Sequence, residues 1–183
     1  MTETVSEEST MPALATTNEL IAEMEGLGSK YLTFRIGGEL LGTDIDSIQE
    51  IIEYTAMTRV PLTPSHIRGV SNLRGKVIPI VDMAVRLGKA SNSEITKRTC
   101  IIIVEMEDDG EQIDIGFVVD EVEEVLDIHA SNIEPAPQFG TDIPSDYING
   151  MGKVNGKFVI LLSLNEILSI KDLSALISND ASN

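Results

Sequence analysis

Several residue types are scarce in this chain, and each scarcity excludes a class of protein. The 183 residues include one cysteine, two histidines and no tryptophan. A single cysteine excludes a disulfide framework within the chain, and the lack of clustered Cys and His argues against a zinc site. Cys100 begins an apolar run, so we expect a small buried hydrophobe instead of a reactive thiol. Because the acidic N-terminus lacks the pattern of an export signal, we also expect a cytoplasmic location.

Long apolar runs and an excess of basic residues are also missing. The apolar runs are strand-sized, so direct membrane insertion is not expected. A net charge of −17 argues against nucleic acid as a partner, since phosphate binding requires clustered Lys and Arg. Residues 59–98 hold 8 basic and 2 acidic residues, whereas residues 99–152 hold 14 acidic residues and no Lys or Arg. This distribution predicts two halves with opposite fields, suited to orienting a protein partner; an acidic surface kept for solubility is the alternative.

The chain contains an internal repeat. Residues 68–83 align without a gap with residues 149–164, and residues 41–52 align with residues 115–126. The offset is 81 residues in the first alignment and 74 in the second, so the second copy carries a 7-residue insertion. Two related copies in a small chain predict two similar subdomains with a groove between them.

Short strands and tight turns are predicted in each copy. Glycine-containing dipeptides at 37–38, 74–75 and 155–156 predict hairpin turns between alternating apolar and polar residues. Asp46 is expected to cap a helical turn that continues through residue 52, and Asp82 to cap a short helix. Each copy thus has about five short strands and little helix, which is the plan of a small barrel.

These patterns set the expected domain boundaries. Residues 1–28 hold six Glu and no Lys or Arg, which is typical of a flexible acidic tail. The remaining expected segments are a folded domain over 29–170 with a first barrel over 30–88, a linker over 89–98 and a second barrel over 99–163, then a C-terminal helix over 164–178 and a tail over 179–183.

Two stretches resemble ligand-binding loops but lack residues that the chemistry requires. Residues 69–77 look like a phosphate-binding loop, yet the spacing is one residue too long and Val77 stands where a hydroxyl would bind magnesium. Residues 105–116 begin like a calcium loop but end at Gly116, where a bidentate Glu is required. Both are predicted to be hairpins, so no metal ion or cofactor is expected.

His129 is the one candidate for catalysis, because Asp127 and Glu134 lie near it in the sequence. A general base also requires a nucleophile or a metal ion nearby, and the sequence offers neither. We therefore expect a protein that is not an enzyme. A small hydrolase that uses His129 and the nearby carboxylates is the less favoured alternative.

Residues 69–82 read Gly-Val-Ser-Asn-Leu-Arg-Gly-Lys-Val-Ile-Pro-Ile-Val-Asp. In this stretch the chain closely resembles the CheW family of chemotaxis coupling proteins. Members of that family carry the pattern G-V-x-N-L-R-G-x-x-x-P-I-V-D. Residues 45–51 and 116–120 agree as well, as do the glycines at 150 and 152. The resemblance implies a mainly β fold of two SH3-like five-stranded β-barrels, in agreement with the duplicated plan.

The resemblance also implies a function. Members of the family are non-catalytic adaptors that couple the cytoplasmic tips of chemoreceptors to the histidine kinase CheA in bacterial chemotaxis. Such an adaptor is cytoplasmic and is recruited to receptor arrays at the inner membrane, often at a cell pole. An adaptor of the same type in a non-flagellar pathway, such as one that governs twitching motility, is the alternative.

Site residues follow from the resemblance where the motifs match. The kinase contact maps to Ile48, Gln49 and Glu50, although core packing explains Ile48 equally well. The receptor-binding groove maps to Gly69, Arg74, Gly116, Val122, Val125 and Gly150.

Arg74 stands out in the groove because the second copy has Asn155, a better turn residue, at the same place. We expect Arg74 to pair with an acidic residue of the receptor or the kinase. Gly69 and Gly150 are also equivalent in the two copies. They are expected to line a groove where a receptor helix approaches the backbone, with tight barrel curvature as the alternative.

Overall fold

The computed structural model describes residues 29–89, 94–108, 110–136 and 142–168. The predicted acidic tail, most of the predicted C-terminal helix and the predicted C-terminal tail lie outside the described residues. The described strands are β1 Ser29–Ile36, β2 Glu39–Asp44, β3 Ile48–Glu53, β4 Ile67–Leu73, β5 Lys76–Asp82, β6 Cys100–Asp108, β7 Glu111–Val119, β8 Glu121–Ile128, β9 Ile133–Glu134, β10 Ile148–Val154 and β11 Lys157–Leu162. The described α-helices are short, with α1 at Met83–Arg86 and α2 at Leu164–Ile167.

The strands form two sheets, which confirms the mainly β fold. Sheet A has the order β8-β1-β2-β11-β10-β9, and sheet B has the order β3-β6-β7-β5-β4. The two-residue strand β9 is the sixth strand of sheet A, where five were predicted. Neighbouring strands are antiparallel except for two parallel contacts, β2 with β11 and β5 with β7. Neither sheet joins its two end strands by backbone pairing among the described residues.

Each sheet contains strands from both copies of the repeat. The first hairpin of the first copy, β1 and β2, lies in sheet A with β8, β10 and β11 of the second copy. The first hairpin of the second copy, β6 and β7, lies in sheet B with β3, β4 and β5 of the first copy. The predicted segments 30–88 and 99–163 therefore do not enclose one sheet each. The physical reason is that each leading hairpin pairs with the other copy.

The two parallel contacts show that this exchange is reciprocal. Gly42 of β2 faces Leu161 of β11, and Gly116 of β7 faces Ile80 of β5. Under the repeat offsets, Gly42 is equivalent to Gly116 and Ile80 to Leu161. The same contact thus occurs once in each sheet, at positions that the duplication relates.

A large apolar cluster joins the two sheets. Phe34 of β1 and Phe117 of β7 are fully buried, and their ring centroids lie 5.8 Å apart. Burial of one such side chain stabilises a fold by about 2–3 kcal/mol. Because these rings come from the two exchanged hairpins, the same contact holds both hairpins in the sheets that receive them.

A smaller apolar cluster lies within each sheet. In sheet B it contains Ile78 and Ile80, and in sheet A it contains Val159 and Leu161 at the equivalent positions. A Cβ atom on Gly116 would lie 2.7 Å from the Ile80 side chain, so any larger residue would require the surrounding isoleucines to shift. Each sheet therefore curls around its own core, while the large cluster fills the space between them.

One predicted helical turn is a strand. Asp44, not Asp46, accepts the capping hydrogen bond from a backbone amide, and the 3-10 turn that follows ends at Ser47. Residues 48–53 are β3 and pair with β6. The β-branched isoleucines of this segment favour a strand, and Ile51 is 41% exposed. The predicted cap at Asp82 is confirmed, since its carboxylate accepts from the Val85 amide at 3.2 Å.

Candidate functional site

Two exposed edge strands occupy equivalent positions in the two sheets. β3 ends sheet B and β8 ends sheet A. Ile51 of β3 and Val125 of β8 are equivalent in the repeat and are 41% and 45% exposed. Their neighbours Ile48 and Val122 are also equivalent, and both pack partly against the large core. An edge strand offers unpaired backbone groups to another chain, so each sheet has one edge with an exposed apolar side chain suited to a protein partner.

The three residues predicted to contact the kinase lie on β3. Ile48 is half-buried against the large core, as is the equivalent residue Val122. This supports core packing as the explanation for an apolar residue at position 48. Gln49 is exposed, and its side-chain amide donates a hydrogen bond to the carboxylate of Glu105. The carboxylate of Glu50 accepts from Arg74 at 2.6 Å. The polar members of this edge are thus held by partners within the chain.

Arg74 finds its acidic partner within the chain. Arg74 lies in the β4–β5 turn with a φ of 54°, and Asn155 lies in the β10–β11 turn with a φ of 51°. The left-handed conformation costs an ordinary side chain roughly 1 kcal/mol, whereas Asn adopts it readily. The ion pair with Glu50 accounts for an arginine at this turn. It also places one predicted receptor residue and one predicted kinase residue in a single contact.

The three predicted groove glycines are buried. A Cβ atom on Gly69 would lie 2.4 Å from the carbonyl oxygen of Thr58. A Cβ on Gly150 would lie 2.7 Å from the Ile133 side chain and 3.0 Å from a backbone carbonyl oxygen. Gly116 lies within the small core of sheet B. Close packing inside the chain explains all three glycines, and their part in a receptor groove stays a prediction.

Folding brings the basic and acidic segments of the sequence together. Lys76 of the basic segment pairs with Asp114 of the acidic segment at 3.3 Å, and Arg98 pairs with Glu121 at 3.2 Å. These contacts lie between neighbouring elements that are distant in sequence. Two bases of the basic segment are thus paired with two acids of the acidic segment, which offsets the predicted opposite fields only where these pairs form.

Sequence reasoning missed a buried ion pair beside an open depression. Arg68 Nε donates to the Asp82 carboxylate at 2.9 Å, and the two side chains are only 18% and 6% exposed. Arg68 also donates to the Tyr54 hydroxyl at 3.2 Å. These residues line a depression of about 690 Å³ together with exposed Arg59. The sequence contained a signal for this pair, because the predicted hairpin with its turn at 74–75 places residues 68 and 82, at its two ends, side by side.

Cys100 begins β6, and His129, the one candidate for catalysis, follows β8. The thiol of Cys100 is half-buried and lies 3.2 Å from the carbonyl oxygen of Arg98. Burial raises its pKa, and the charge of Glu53 raises it further. His129 is exposed.

In the ranges that the structure describes, no three His, Cys, Asp or Glu side chains are grouped to hold a metal ion. None of the helices in those ranges has the length and apolar character needed to cross a membrane.

Known proteins resemble this chain over most of its length. A family model described as a CheW-like domain matches residues 30–172. The chain is 36% identical over 171 residues to the chemotaxis protein CheW of Klebsiella aerogenes, which covers 93% of this chain and 98% of that protein. It is 30% identical over 148 residues to the chemotaxis protein CheW of Rhizobium meliloti, which covers 81% and 92%. The crystal structure of the scaffolding protein TtCheW from Thermoanaerobacter tengcongensis matches with a TM-score of 0.70 and 34% identity, over 79% of this chain and 90% of that one.

Proposed function

This chain belongs to the CheW family, and on that premise we propose that it is a non-catalytic adaptor that couples chemoreceptors to the histidine kinase CheA. The adaptor binds the kinase along β3 and the cytoplasmic tip of a receptor along β8. It is recruited from the cytoplasm to receptor arrays at the inner membrane.

The observation that carries this proposal is the pair of equivalent edge strands with different side chains. Both edges expose an apolar residue at the same repeat position, Ile51 on β3 and Val125 on β8. On β3 the nearby Glu50 is neutralised by Arg74, whereas the equivalent Glu124 on β8 has no such arginine. Two edges of similar shape and different charge in one molecule suit a bridge between two different partners.

A non-catalytic role agrees with the chemistry of the described residues. The buried polar groups that would suit a site, Arg68 and Asp82, form a satisfied ion pair, and Asp82 also caps α1. A raised pKa keeps the Cys100 thiol in its protonated form, which is a poor nucleophile. These groups stabilise the fold, and the edges remain for recognition.

A pull-down with separate receptor and kinase fragments tests the proposal. The chain should bind the receptor cytoplasmic fragment and the regulatory domain of CheA, each in the absence of the other. Substituting Val125→Glu should weaken only the receptor complex, and Ile51→Glu should weaken only the kinase complex, because an edge charge disrupts apolar contact. Failure of the unaltered chain to bind either fragment would contradict the proposal.

A further inference from the structure

The two edges differ at one ion pair. In sheet B the Arg74 guanidinium reaches from the β4–β5 turn to Glu50 on β3. The repeat relates Glu50 to Glu124 on β8, and Arg74 to Asn155 in the β10–β11 turn. Both acids are present and both turns have the same left-handed backbone, but only one turn has the base. Sheet A therefore has the acidic half of the pair without the basic half.

A small depression marks the place of the missing arginine. It has a volume of about 80 Å³, and both Glu124 and Asn155 line it. Lys157 also lines it, yet no ion pair joins Lys157 or any other cationic group to Glu124 in the described part of the chain. Glu124 is thus an exposed acid that lines an opening beside the edge strand β8.

Hydrogen bonds hold Glu124 in this position. The buried hydroxyl of Thr33 donates to the carbonyl oxygen of Glu124 at 2.7 Å and accepts from its amide at 3.1 Å. These contacts fill the register shift between β1 and β8. Because both backbone groups of Glu124 are bonded to Thr33, its backbone is fixed on β8, one residue before the exposed apolar Val125.

We propose that the carboxylate of Glu124 forms an ion pair with a basic side chain, an arginine or lysine, of the partner bound along β8. This side chain takes the place that Arg74 has beside Glu50. The partner chemistry is a segment with a cationic residue beside an apolar one, so that the apolar side chain covers Val125 while the cation enters the depression. Opposite charge at a partly enclosed site supplies specificity as well as affinity. This inference rests on the proposed function, in which the partner along β8 is a chemoreceptor tip.

A substitution that places a basic side chain beside Glu124 within the chain tests the inference. The variant Asn155→Arg should pair with Glu124 as Arg74 pairs with Glu50, and should weaken binding of a receptor cytoplasmic fragment by about tenfold. Asn155→Gln, which has no charge, is the matched control and should bind as the unaltered chain does. The variant Glu124→Gln should weaken binding to a similar extent, and adding Asn155→Arg to it should have no further effect. Binding of the CheA regulatory domain should be unchanged in all variants.

The outcomes separate the two proposals. Unaltered receptor affinity in both Asn155→Arg and Glu124→Gln overturns this inference and leaves the adaptor role intact. Absence of receptor binding by the unaltered chain overturns both. The left-handed turn already accepts arginine at Arg74, so Asn155→Arg is expected to fold, and Glu124→Gln tests the same contact without altering the turn.

Discussion

The Arg74 guanidinium and the Glu50 carboxylate lie 2.6 Å apart and join the β4–β5 turn to the edge strand β3. β4, which leads into this turn, and β3 are the two end strands of sheet B. The contact therefore joins the two ends of the curled sheet. The Arg74 side chain is 80% exposed and that of Glu50 29% exposed. A pair this open contributes little to stability, about 0–1 kcal/mol. The pair also neutralises one carboxylate of the β3 edge.

Reversing the charge at Arg74 should weaken kinase binding without unfolding the protein. In Arg74→Glu two carboxylates meet at the β3 edge, and we expect the free energy of unfolding to change by no more than about 1 kcal/mol. Affinity for the CheA regulatory domain should fall by about tenfold, measured by titration calorimetry.

The exchanged double variant controls for this change. Arg74→Glu with Glu50→Arg restores an ion pair, and should recover part of the kinase affinity if pairing positions the edge. Arg74→Asn should be at least as stable as the unaltered chain, because Asn favours the left-handed turn. Unchanged kinase affinity in Arg74→Glu would refute the role assigned to this pair.

Replacing Gly69 should damage folding more than replacing Gly150. The Cβ of alanine at Gly69 meets a backbone carbonyl at 2.4 Å, which a rotamer change cannot relieve. At Gly150 the nearest atom belongs to a side chain, that of Ile133, and the backbone oxygen of Glu134 is at 3.0 Å. We expect Gly69→Ala to lower the free energy of unfolding by about 3 kcal/mol or more and Gly150→Ala by less. Urea denaturation measures both. A fully stable Gly69→Ala variant that fails to bind receptor would instead favour a direct role in the groove.

Removing the buried acid Asp82 should be strongly destabilising. Asp82→Ala leaves the Arg68 guanidinium without its carboxylate and also removes the cap of α1, at a cost of about 3–5 kcal/mol. The double variant Arg68→Met with Asp82→Ser should lose less stability than Asp82→Ala, because no uncompensated charge remains and a hydroxyl can still cap the helix. Thermal unfolding followed by circular dichroism measures the difference. Equal losses would show that the ion pair is not the dominant contribution.

Cys100 should react slowly while the protein is folded. Burial, and then the charge of Glu53, raise its thiol pKa above the ordinary value. The contribution of this thiol to stability is therefore fully present below the unfolded pKa and is lost as the pH rises through the folded pKa. Alkylation by iodoacetamide at neutral pH should be slower in the folded chain than in the urea-unfolded chain. Equal rates in the two states would contradict this account of the thiol.

Local features of the fold were predictable from the sequence, and the pairing between copies was not. The turns at 74–75 and 155–156 follow from short-range backbone preferences, and the cap at Asp82 from its side-chain chemistry. The alternation of apolar residues indicates which face of a strand is buried but not which strand lies beside it. The exchange of leading hairpins depends on contacts such as that between Phe34 and Phe117, which are far apart in sequence.

The candidate site shows the same division. Comparison of the two copies identified Arg74 as an unusual residue, because Asn155 suits the equivalent turn better. Its partner Glu50 lies on a strand that is not a neighbour of β4 in the sheet, so only the curl of sheet B brings the two together. The close approach of the Thr58 carbonyl to Gly69 likewise requires the loop that precedes β4 to fold back onto it.

Simultaneous binding of both partners tests the adaptor role most directly. Analytical ultracentrifugation of the full chain with a receptor cytoplasmic fragment and the CheA regulatory domain should show one ternary complex. Saturation of the chain with either fragment should leave its affinity for the other at least undiminished, because β3 and β8 end different sheets. Competition between the two fragments for the chain would contradict the account, since a single shared site cannot bridge a receptor to a kinase.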